Sequence, residues 1–184
     1  MTRARAVAAA LVVLLPLGLA GCSGSSDADT TSASEAASDA AGVAWSPCDG
    51  ITAAQVSKIA GTALTMSTGT TESPACMFLP KKKGAIAFDV SYLFFDGGLD
   101  TALKAMGTAG TQLESVEVPG ATAARIAVKT RKNAIAVTGF VETDGLVQSV
   151  NAAQLAPYDE DQVVAATQDL LAALAAAAPT SSGD

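Results

Sequence analysis

Apolar residues recur along this chain in three rhythms, and each predicts a different element. From Ala6 to Ala20 they run almost without a break. At Val163, Thr167, Leu170, Leu171, Leu174 and Ala178 they return with a 3.6-residue period, which predicts one buried face of a long helix. From Ala85 to Phe95 they alternate, with Phe88, Val90, Tyr92 and Phe94 on one side and Asp89 and Ser91 on the other. That is the pattern of a half-buried strand.

The punctuation between these runs predicts where elements start and stop. Thr52 is placed to cap a first helix, Gln55 to close its capping box and Ile51 to staple onto Val56. That helix turns Val56, Ile59 and Ala60 inward and ends at Gly61. The long last helix follows Pro157 and Tyr158, with Asp159 as cap, Gln162 closing its box and Tyr158 stapling onto Val163. Strands are predicted at Ala123–Lys129 and Ala134–Glu142, flanking the turn residues Thr130 to Asn133, and at Leu146–Val150 after Thr143-Asp144-Gly145. These three form an antiparallel meander. A short helix from about Leu99 to Met106 links the long strand to Leu113–Val118. The sum is an α+β domain, a mostly antiparallel sheet with helices packed on one face.

The unbroken run has a different meaning. It follows Arg3 and Arg5 and closes on Leu19-Ala20-Gly21-Cys22, so the order is basic, apolar, small residues, cysteine. As a helix, Ala6 to Ala20 spans about 22 Å, short of the roughly 30 Å of a bilayer core, and Pro16 and Gly18 weaken it further. A transmembrane span is therefore the poorer reading, and a plain secretory leader leaves Cys22 unexplained. The sequence is read as a cleaved lipoprotein signal over residues 1–21, with Cys22 as the lipidated residue. Residues 22–45 then form a Ser-, Ala- and Asp-rich tether that cannot bury enough surface to order itself. One domain occupies 46–179, and a short disordered tail covers 180–184. Loss of Arg3 and Arg5 leaves nine basic against eighteen acidic residues, a net charge of −9, which argues against a nucleic-acid partner.

Two cysteines remain, Cys48 and Cys76. An even pair in an exported chain is most simply a disulfide; a redox or metal site is the alternative, but no C-x-x-C is present. At this point a resemblance emerges. Pro47-Cys48-Asp49-Gly50-Ile51-Thr52, the helix to Gly61, Cys76-Met77-Phe78 and the later Val118-Pro119-Gly120-Ala121-Thr122-Ala123-Ala124 are similar to the actinobacterial lipoproteins grouped as domain of unknown function 3558. The resemblance covers most of residues 46 to 178. In that family an aromatic residue, often Trp, follows two residues after the second cysteine; here the position is Phe78. The resemblance implies a tethered extracytoplasmic domain with a paired cysteine bridge, and it brings no catalytic residues.

Candidate chemistry is sparse. The chain has no histidine, so Ser-His and Cys-His nucleophiles and His-ligated metals are excluded. Asp89, Asp96 and Asp100 fall near one strand–helix junction and are candidates for carboxylate hydrolysis or calcium. The competing reading makes Asp96-Gly97-Gly98 a turn and Asp100 a helix cap. Asp159, Glu160 and Asp161 suit the first turn of a helix better than a metal. Lys81, Lys82 and Lys83 with Arg131 and Lys132 sit at predicted turns that can meet at one end of the sheet and contact an anionic ligand. Trp45, Phe78, Phe88, Tyr92 and Phe94 either line a pocket or form core. The expectation is a non-enzymatic domain on the outer face of the cell membrane, without catalytic, metal or cofactor site. It binds an envelope protein or a small or lipidic ligand; a lipid or glycolipid carrier is the alternative, and a carboxylate hydrolase a more distant one.

Overall fold

A computed structural model describes residues 45–70, 73–107 and 112–179. The leader, Cys22, nearly all of the tether and the tail 180–184 lie outside the described residues. Within them the chain runs α1 (Ala53–Ala60), β1 (Leu64–Thr68), β2 (Cys76–Pro80), β3 (Ala87–Phe94), α2 (Leu99–Ala105), β4 (Glu114–Ser115), β5 (Ala123–Arg131), β6 (Ala134–Thr143), β7 (Leu146–Leu155) and α3 (Glu160–Ala177). The strands form one antiparallel sheet in the order β1-β2-β3-β7-β6-β5-β4. The α+β class holds.

Both helix starts have the expected local chemistry. Thr52 Oγ1 accepts from the Gln55 amide at 3.2 Å and Asp159 Oδ1 from the Gln162 amide at 3.1 Å. Gly61 ends α1 at a φ of 64°, where its missing Cβ removes the steric cost. Along α3 the inward stripe is Val163, Thr167, Leu170, Leu171 and Leu174, widened by Ala166 and Ala175, while Ala178 serves as the C-cap. Asp144 and Gly145 both have positive φ and make the tight β6–β7 turn, the geometry that favours residues such as Asp-Gly.

Alternation along each strand decides what each sheet face meets. Ile135, Val137 and Val141 of β6, Val150 and Ala152 of β7, and Phe88 and Val90 of β3 pack with Val56 and Leu64 against Leu170, Leu171 and Leu174. Gly139 lies in this row, and a Cβ there would stand 2.7 Å from Leu171 Cδ1, so α3 rests almost on the backbone of β6. Phe140 and Val147 point the other way and pack with Leu99, Ala102 and Leu103 of α2. The expectation of helices on one face therefore holds for α1 and α3, whereas α2 covers part of the opposite face.

Other differences come from pairing across the sheet. Strand β1 has one buried position, Leu64, so no alternation announces it; its register with β2 creates it. Strand β7 continues from Val150 to Leu155 because Ala134 of β6 pairs with Leu155, extending a ladder through residues of low strand propensity. The strand expected over Leu113–Val118 shrinks to Glu114–Ser115. Cys48 and Cys76 form a disulfide that joins the turn before α1 to β2, with Cα atoms 5.3 Å apart.

Candidate functional site

The sheet has two ends with different chemistry. At the first, where β3 and β6 begin and β5 and β7 finish, the β2–β3 loop, the β5–β6 turn and the β7–α3 connection come together. The Tyr158 hydroxyl donates to the Arg131 carbonyl at 3.1 Å, and the Ala156 amide donates to the Asn133 carbonyl at 2.9 Å. These bonds tie the connection to the hairpin. Gln154 Nε2 donates to the Gly84 carbonyl at 3.3 Å and ties β7 to the β2–β3 loop.

Between these segments and the end of α1 opens a pocket of about 520 Å³. That volume falls in the range of small-ligand sites. Ile86, Leu155 and Pro157 supply apolar wall, and Lys82, Lys83, Gln154 and Gln162 supply polar groups. No acidic residue lines it. Both basic loops lie at this end of the sheet, on hairpins separated by β7. Lys82 and Lys83 reach the pocket, while Lys81, Arg131 and Lys132 are exposed at the same end without lining it. Gln154 and Gln162 are lining residues that sequence reasoning missed. Gln162 has a visible signal only as a helix-box residue, and Gln154 lies on the stretch of β7 that was not predicted.

The candidate carboxylates are spread over mid-strand β3, the second end and the start of α3. Asp89 sits in mid-strand opposite Asn151, well away from the β3–α2 corner. Asp100 does not cap α2: the N-cap is Gly98, and Asp100 pairs instead with Arg125, Oδ1 to Nη2 at 3.1 Å. The cap comes from Glu142 of β6, whose Oε2 accepts from the Leu99 amide at 2.8 Å. Asp159 caps α3, and Glu160 and Asp161 occupy its first turn, as the helix-start reading expects. Among the described residues no group of three or more acidic or cysteine side chains is placed to hold a metal.

The aromatic residues divide. Phe78 and Phe88 are buried core. Tyr92 and Phe94 continue the same face of β3 past the helices and meet Trp45 in an edge-on cluster, with centroids 4.9 Å apart for Trp45–Tyr92 and 5.5 Å for Tyr92–Phe94. Trp45 and Tyr92 line a second, smaller pocket of about 190 Å³ with Ser46, Thr68 and Pro74.

A match to the family described as Protein of unknown function (DUF3558) spans residues 17–153, most of the chain. The chain belongs to the DUF3558 family. The DUF3558 match begins before Cys22, takes in both bridged cysteines and the sheet through Ala153, and stops short of α3. No curated protein and no solved structure matches the chain.

Proposed function

We propose that this protein is a lipid-anchored extracytoplasmic binding domain whose ligand site is the pocket between the β2–β3 loop and the β7–α3 connection. In this reading residues 1–21 are a signal peptide, Cys22 carries the acyl chains, and the domain stands on the outer face of the cell membrane of an actinobacterium. The Leu19-Ala20-Gly21-Cys22 motif supports the anchor, and the family match encloses that motif. No helix among the described residues is long and apolar enough to cross a membrane. Two or more acyl chains hold a protein stably, where one holds it only marginally.

The observation that carries the binding reading is the pocket itself: apolar walls, two lysines and two amide side chains, with no carboxylate. Such a lining favours a small amphiphile with an anionic head. We read the domain as a binding module because the chain lacks histidine and its candidate carboxylates are scattered, with Asp89 in mid-strand, Asp100 paired to Arg125 and Asp159 capping α3. The layer between the sheet and α1 and α3 is filled by Val56, Phe78, Phe88, Val90 and Leu170. We therefore place the ligand in the pocket at the end of the sheet and not in this layer.

Hexyl phosphate and hexanol are suitable probes, titrated into the mature chain and followed by amide NMR. Hexyl phosphate is expected to shift amides of Lys82 to Ile86 and of Gln154 and Gln162, hexanol to do so more weakly. The Lys82→Gln/Lys83→Gln variant is expected to weaken hexyl phosphate binding about tenfold, in keeping with roughly 1–2 kcal/mol for lost charge-assisted contacts. Equal response to both probes, or no response at these amides, counts against the reading.

A further inference from the structure

The second end of the sheet holds apolar surface that neither the core nor the pocket uses. Phe94 is 60% exposed and Leu93 beside it 44%. Phe94 joins Trp45 and Tyr92, so three of the chain's eight aromatic residues lie together, while Leu93 points to the opposite face at the same strand end. The register explains why this surface is bare. Phe88 and Val90 face Ala152 and Val150 under α3, while Phe94 faces Leu146 at the last rung of the ladder. The Tyr92 hydroxyl donates to the Trp45 carbonyl at 3.1 Å, so the cluster is braced and the polar tip of the tyrosine is satisfied.

Where the chain enters the domain indicates what covers this surface. Trp45, inside the cluster, stands 23 residues after Cys22 in the sequence. The basic end lies a full strand away, and the ten residues of β6 span about 33 Å. Along the chain, the aromatic cluster is therefore the part of the domain that follows Cys22 most directly.

We propose that the Trp45–Tyr92–Phe94 cluster, with Leu93, seats the domain on the bilayer to which Cys22 tethers it. This rests on the proposed lipid anchor. Trp and Tyr favour the headgroup level of a bilayer, where an apolar ring and a polar edge are both accommodated. Tethering makes the contact intramolecular, so a small patch suffices. Asp49, Asp96 and Asp144 are exposed near this end, so the contact depends on ring and side-chain burial and favours zwitterionic over anionic lipid. Seating this end leaves the lysine-lined pocket facing away from the membrane.

Trp45 is the sole tryptophan, so its fluorescence reports this cluster alone. The test compares phosphatidylcholine vesicles with and without bromine on the acyl chains. One arm uses the lipidated full chain; the other uses the chain from Ser23 onward held by an N-terminal histidine tag on nickel-chelating lipid. Expected is at least twofold quenching by brominated lipid in both arms, reduced by half or more in Leu93→Ser/Phe94→Ser and by phosphatidylglycerol at low salt. The two substituted residues are exposed, and an unchanged melting temperature will show that the variant folds. Unquenched Trp45 in the nickel-tethered arm overturns the proposal. Quenching there but none with the chain purified from cells leaves the seat standing and removes the Cys22 anchor. A blue shift that grows with protein concentration without vesicles assigns the cluster to a second copy and also overturns it.

Discussion

Glu142 is an acidic residue at 9% exposure, and its position is explained by a single bond: Oε2 accepts from the Leu99 amide and completes the first turn of α2. Replacing it with Ala removes the acceptor and leaves a helix N–H without its partner. Glu142→Ala is expected to cost about 1–2 kcal/mol in urea unfolding and to speed hydrogen exchange at Leu99, while Glu142→Gln, which keeps an acceptor, loses less. An unchanged exchange rate would show that the bond does not hold α2. This cap was not legible in the sequence, where Asp100 stood at the helix start and Glu142 stood 43 residues away in a strand. Thr52 and Asp159 were legible because each caps an amide three residues along the chain. Gln148 belongs with Glu142: fully buried, its Nε2 donates to the Leu174 carbonyl in the last turn of α3, a contact no local pattern signals.

Among the elements, those with local signals were readable and those made by distant pairing were not. Helices α1 and α3 and the β5–β6–β7 meander follow from caps, periods and turn residues. Strand β1, the far half of β7 and the side of the sheet taken by α2 depend on partners remote in sequence. The Cys48–Cys76 bridge ties such remote parts together, closing 28 residues of separation between the turn before α1 and β2. In the chain-entropy account a loop of this length stabilises by about 3.5 kcal/mol, less any native strain. Urea unfolding of the wild type and of Cys48→Ala/Cys76→Ala is expected to differ by about that amount. The double variant is also expected to loosen α1 before α3, seen as earlier hydrogen exchange at Val56 than at Leu170. A difference near zero would mean that the packing of Ile51 and Val56 alone holds α1.

At the scale of the molecule the two ends of the sheet divide the tasks. One end carries the lysine loops and the larger pocket; the other receives the chain from its N-terminal segment and presents the aromatic cluster. The basic groups were readable as turn residues, and strand pairing puts both turns at the same end of the sheet. The pocket itself was not readable, because one of its walls comes from Gln154 to Pro157, a stretch without apolar rhythm. In the proposed reading both ends acquire their meaning from an attachment at Cys22, which would give the domain a near end and a far end relative to a membrane. The direct measurement is the intact mass of the protein extracted from membranes of a bacterium that makes it. The account predicts a chain beginning at Cys22, heavier than its sequence by a diacylglyceryl group, with or without a further acyl chain on the amine. A chain that keeps residues 1–21, or one that starts elsewhere with no added lipid, would contradict it.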